Sequence, residues 1–198
     1  MSDNRSRYLI LGGARSGKSH YAEKIAQEIL QKSSQPLQQA DKELIYIATA
    51  TVLDDEMEQR VKRHKQDRPD TWTTIEEPLA LADVLQQWVS PDRVILVDCL
   101  TLWLMNLLSH PDESRLAEEQ KKLLSTLPTL SGTIIFVSNE VGLGIIPMGE
   151  LTRKYVDEAG RLHQKLAQQV DNVILMVAGL PMVVKEALNN PAKENTGN

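Results

Sequence analysis

Eight residues near the N-terminus, GGARSGKS from Gly12 to Ser19, fit the spacing G-x-x-x-x-G-K-[ST], with Gly12, Gly17, Lys18 and Ser19 at the four specified positions. The chemistry this pattern serves is phosphate binding. Glycines let the backbone N–H groups across Gly13, Ala14, Arg15 and Ser16 turn inward around phosphate oxygens, and a following helix adds its free N–H groups and the positive end of its dipole. Lys18 contributes a point charge between phosphates, and the Ser19 hydroxyl suits a Mg²⁺ ion. The apolar YLIL precedes the loop and the helix-patterned HYAEKIAQEIL follows it, which is the context the mechanism needs.

A metal on such a loop takes a carboxylate from across the sheet, and Asp98, closing the apolar run VILVD, is the candidate. Cys99 beside it reads as packing. A second charged stretch, VKRHKQDRP from Val61 to Pro69, sets His64 among Arg60, Lys62, Arg63, Lys65 and Arg68. Met57, Val61 and His64 fall at i, i+4 and i+7, so on spacing alone His64 continues an apolar stripe as a packed helix histidine. His20, His110 and His163 fit capping or surface roles. NEVGLGIIP (139–147) carries Gly142 and Gly144, which permit close approach of a ligand. Asn139 and Glu140 there are candidates for substrate or subunit contacts, the alternative being a flexible turn.

Positioning these groups falls to apolar runs at 7–13, 44–50, 93–100, 133–140 and 172–179, which alternate with helix-period segments. The predicted helices are Ser19–Gln31, Asp54–Lys65, Pro78–Val89, Thr101–Leu108, Asp112–Leu127 and Met148–Val170. Alternation of this kind predicts parallel βαβ units, and runs that are apolar throughout predict a sheet covered on both faces, hence a three-layer α/β sandwich. The segment 176–188 reads either as a hairpin through Gly179, Leu180 and Pro181 onto an antiparallel edge strand or as a strand and a short helix. Residues 1–188 are expected to form one domain. KSSQPLQQADK (32–42) reads as a polar connection, and 189–198 as a polar tail without an apolar anchor, expected to be disordered.

With 22 Lys+Arg against 27 Asp+Glu, the net charge of −5 argues against a general electrostatic grip on nucleic acid or anionic membrane. One cysteine permits no internal disulfide, and the chain contains neither an apolar leader nor an apolar run of about 18 residues. A cytoplasmic protein without a membrane span is expected.

GGARSGKS, IATA followed by LDDEM (53–57), R-V-x-x-H-K-x-x-R-P (60–69), VDCLT (97–101) and NEVGLGIIP occur in this order. Together they make the chain, over about residues 7–186, similar to the bifunctional adenosylcobinamide kinase/adenosylcobinamide-phosphate guanylyltransferase family of cobalamin biosynthesis. The resemblance implies a P-loop, RecA-like fold, a homotrimer, and two reactions. The first is phosphorylation of adenosylcobinamide by ATP or GTP; the second is transfer of GMP from GTP to the resulting phosphate, with release of pyrophosphate. It implies Mg²⁺, a guanylyl group carried on His64, and GTP contacts by the phosphate loop, by Thr49, Ala50 and Thr51, by Lys65, Gln66, Asp67 and Arg68, and by Glu76 and Asp98. Some members have two adjacent histidines in this block, where this chain has Arg63 before His64. Attack on phosphorus requires a neutral imidazole, and the surrounding cations disfavour a further positive charge on His64. No N-K-x-D guanine-reading motif of a GTPase switch is present.

Overall fold

In each central strand of the computed structural model, neighbouring residues face different helix layers. The structure describes residues 6–32, 43–51 and 72–186. The elements in chain order are β1 (Ser6–Gly12), α1 (Lys18–Lys32), β2 (Glu43–Ala48), β3 (Thr73–Glu76), α2 (Leu81–Trp88), β4 (Arg93–Asp98), α3 (Leu100–Leu108), α4 (Ser114–Thr126), β5 (Thr133–Asn139), α5 (Glu150–Gln169), β6 (Asn172–Val177) and β7 (Leu180–Lys185). They form one sheet in the order β3-β2-β4-β5-β1-β6-β7, parallel except for the β6–β7 pair.

Leu9, Ile45, Ile47, Ile95, Val97, Ile134, Phe136 and Val173 point to one side, where Leu81 and Leu85 of α2, Leu100, Trp103 and Leu107 of α3, Leu123 of α4, and Leu162 and Leu166 of α5 complete the core. Ile10, Leu44, Tyr46, Val94, Leu96, Ile135, Val137 and Ile174 point to the other, onto Ala22 and Ala26 of α1. Two alanines four residues apart let α1 lie close over β4, β5 and β1. Chain direction explains the division. The crossover through α1 runs along the sheet in the opposite sense to those through α2 to α5, and crossovers of one hand then put helices on opposite faces. The expected three layers are therefore present.

The sheet differs from the sequence reading at its two edges. β3 was absent from the predicted strands because TTIE is short and half-exposed, with no continuous apolar run. At the other edge the hairpin is the alternative realised, with its turn at Ala178 and Gly179, while Leu180 and Pro181, expected in the turn, already belong to the edge strand. Ala178 at φ 51° and Gly179 at φ 81° make a two-residue turn with both residues in the left-handed region, the geometry that closes tight hairpins. Pro181 is tolerated in β7 because an edge strand has one unpaired side. The expected helix at 54–65 and the polar segments 33–42 and 189–198 lie outside the described residues.

Candidate active site

The carboxyl ends of the parallel strands bring most of the described candidate residues into one row. Glu76 of β3 is level with Ala48 of β2, and Ala48 with Asp98 of β4; Asn139 of β5 is level with Gly12 of β1. Ligands in open α/β sheets bind at this edge.

Between β1 and α1 the chain makes the loop expected of GGARSGKS. Gly12 is required there: at φ 152°, an added Cβ would come within 2.6 Å of both the Met176 carbonyl oxygen and Ser16 Oγ. Gly13, Ala14, Arg15 and Gly17 are exposed, while Ser16 and Lys18 are buried. The loop is braced by bonds from Ser16 N–H to the Gly13 carbonyl at 3.3 Å and from Gly179 N–H, in the β6–β7 turn, to the Ser16 carbonyl at 3.1 Å. Lys18 Nζ donates to the Gly13 carbonyl at 2.5 Å. Burial pushes the Lys18 ammonium below its ordinary pKa, with Cys99 and Asp98 acting in the other direction. An anion beside Lys18 restores what burial removes, so the loop favours polyphosphate over neutral ligands.

Asp98 Oδ2 accepts a hydrogen bond from the Tyr46 hydroxyl at 3.0 Å, which fixes the carboxylate at the end of β4. Ser19, half-buried, lies in the first turn of α1. A hydroxyl and a carboxylate are the hard oxygen donors Mg²⁺ accepts, and a nucleotide supplies further oxygens. Among the described residues no group of three or more His, Cys, Asp and Glu side chains is placed to hold a metal ion alone. The donor set fits a metal delivered with its nucleotide. Burial pushes the Cys99 thiol up to about 11, so it is a poor nucleophile and belongs to the packing, as its position predicted.

Thr49 is fully buried, and its hydroxyl is committed to Cys99, donating to the carbonyl at 2.7 Å and accepting from the amide at 3.0 Å. Ala50 is half-buried and Thr51 and Glu76 are exposed, so the outward-facing groups of this rim are the last two. Asn106, which sequence reasoning missed, holds the rim together. Its amide donates to the Thr49 carbonyl at 2.8 Å and to the Pro78 carbonyl at 3.1 Å, tying the segment after β2 to the segment after β3. The available signal was a lone amide in the apolar helix LTLWLMNLL. His64, Lys65, Gln66, Asp67 and Arg68 lie outside the described residues.

Of the remaining histidines, His20 is exposed and His110 accepts from the Asp112 amide at 3.1 Å. His163 departs from expectation: it is only 7% exposed, and its Nε2 lies 2.8 Å from Ser138 Oγ. The reason is helical period, since Ala159, Leu162, His163 and Leu166 form the buried face of α5.

A mostly parallel sheet, a glycine-rich loop from β1 into α1, and a carboxylate at the end of β4 define a P-loop nucleotide-binding enzyme domain. The family described as cobinamide kinase/cobinamide phosphate guanyltransferase matches residues 8–184. A bifunctional adenosylcobalamin biosynthesis protein from Pseudomonas aeruginosa is 51% identical over 179 residues, covering 90% of this chain and 97% of the relative. Proteins of the same description from Escherichia coli and Salmonella typhimurium are each 35% identical over 190 residues, covering 89% of this chain and 98% of theirs. The chain belongs to the cobinamide kinase/cobinamide phosphate guanyltransferase family. It is accordingly a bifunctional kinase and nucleotidyltransferase of cobalamin biosynthesis.

Proposed function

We propose that the two activities share the nucleotide site at the strand ends, and that GMP transfer proceeds through a covalent intermediate on His64. In the kinase half-reaction the adenosylcobinamide hydroxyl attacks the γ-phosphorus of ATP or GTP. In the second, His64 attacks the α-phosphorus of GTP, pyrophosphate leaves, and adenosylcobinamide phosphate then takes GMP from the imidazole. Splitting one difficult transfer into two easier ones is the benefit of such an intermediate. The observation that best supports a common site is the row of strand ends, where the phosphate loop and Asp98 share one edge of the sheet.

Phosphoryl transfer is mainly positioning and charge neutralisation. Loop N–H groups and Lys18 hold the phosphates, while Thr51, Glu76 and the segment Lys65–Arg68 complete the GTP contacts. Ser19 and Asp98 hold Mg²⁺, which when bound neutralises charge developing on the phosphate oxygens. The same reading places the enzyme in the cytoplasm as a homotrimer; no described helix is long and apolar enough to cross a membrane.

Separate assays of the half-reactions test the division of labour. His64→Ala is expected to abolish guanylylation of supplied adenosylcobinamide phosphate while phosphorylation of adenosylcobinamide continues. Lys18→Ala is expected to lower both, by about 100-fold or more, as loss of a charge-stabilising donor does. Guanylylation by His64→Ala at the parent rate contradicts the covalent route.

A further inference from the structure

A buried chain of polar side chains, separate from the phosphate loop, leads to the same edge of the sheet. The Asn139 amide donates to Thr101 Oγ1 at 2.8 Å; Thr101 Oγ1 and Ser138 Oγ are 3.4 Å apart; Ser138 Oγ lies 2.8 Å from His163 Nε2. The other ring nitrogen, Nδ1, is 3.9 Å from Glu140 Oε2. Thr101, Ser138 and His163 are 4%, 1% and 7% exposed, whereas the Glu140 side chain is 22% exposed. The chain therefore runs from the core to one carboxylate that opens outward. With the Ser138 hydroxyl donating to Nε2, the imidazole proton sits on Nδ1, toward Glu140.

Glu140 is fixed beside the phosphate loop. Its N–H donates to the Gly12 carbonyl at 2.9 Å, and its Oε1 accepts from the Gly142 amide at 2.6 Å. A carboxylate repels phosphate, which argues against a polyphosphate contact, and its chemistry suits accepting a proton from an incoming alcohol.

We propose that Glu140 is the base of the kinase half-reaction, with His163 and Ser138 as residues that position it. As the substrate hydroxyl oxygen bonds to the γ-phosphorus, its proton passes to the Glu140 carboxylate. The bond from the γ-phosphorus to the β–γ bridging oxygen breaks, and nucleoside diphosphate leaves with that electron pair. The assignment rests on the kinase activity of the family and names the proton acceptor within it.

Steady-state kinetics on the full chain, with ATP and adenosylcobinamide in one assay and GTP and adenosylcobinamide phosphate in the other, test this. Glu140→Gln is expected to lower kinase kcat by about 100-fold or more, the range of general-base catalysis, with KM for adenosylcobinamide changed little and guanylyl transfer persisting. Glu140→Asp is expected to recover part of the loss. His163→Gln is expected to lower kinase kcat by a smaller factor, again without raising KM. Kinase kcat of Glu140→Gln at the parent level, an equal loss in both assays, or recovery at raised Mg²⁺ would overturn the base assignment. A parent chain without kinase turnover would overturn the kinase reading itself, and the assignment with it.

Discussion

Lys18 and His163 are two bases buried near the strand ends, and burial lowers the pKa of both, though their uses differ. For Lys18 the lowered pKa is raised again when polyphosphate lies beside it, so burial sharpens the preference for anions. For His163 burial favours the neutral imidazole, and Glu140 opposes this only in part. The consequence for stability has a definite sign. Below the ordinary value of 6.5 the unfolded chain takes up a proton on this ring that the folded chain resists, so more protons are bound unfolded and stability is lost as the pH falls. Above 6.5 both states are neutral and the ring contributes no slope. Denaturant unfolding at a series of pH values is expected to show a shallower decline in stability below pH 6.5 for His163→Gln than for the parent. An unchanged acid slope would show that the ring takes up its proton as readily in the fold as in the unfolded chain.

Short connecting elements decide how well the rim of the site is held, and they differ in how openly the sequence announces them. The phosphate loop was legible because a backbone that must turn its N–H groups inward constrains residue type at fixed spacings, and Gly12 meets that demand. The parallel core was legible because strands buried on both faces, such as VILVD, can only be apolar. TTIE was not legible, since an edge strand of four residues needs no continuous apolar face. The hairpin at Ala178–Gly179 stayed ambiguous because its turn uses an alanine at positive φ, a conformation few alanines adopt. Asn106 was missed because its role depends on two carbonyls distant in sequence, at Thr49 and Pro78. Asn106→Ala leaves both carbonyls without this donor and is expected to cost about 1–3 kcal/mol in denaturant unfolding. Weaker GTP binding by calorimetry is expected alongside, because Thr51 and Glu76 stand on the segments it joins. Parent-like stability and affinity would show that the rim is held by other contacts.

For the molecule as a whole, the exposed apolar groups bear on assembly, and they fall both at the β6–β7 edge and between β5 and α5. Leu143, Ile145, Ile146 and Met148 are 79–98% exposed in the segment between β5 and α5, and Leu151 in the first turn of α5 is 56% exposed. Apolar surface of this extent marks an interaction site in many proteins. Light scattering is expected to give a mass three times the 22.2 kDa of the chain, and Ile145→Lys to reduce it. A monomer at assay concentrations would contradict the homotrimer. The central claim, that one P-loop domain phosphorylates a corrinoid and then carries GMP to it on His64, is tested most directly by incubating the protein with GTP labelled on the α-phosphate. Label is expected to remain on the chain through denaturation, to be lost in acid and kept in base as a phosphoramidate is, to pass to adenosylcobinamide phosphate on addition, and to be absent from His64→Ala. Rapid GMP transfer with no label on the parent protein at any time would contradict it.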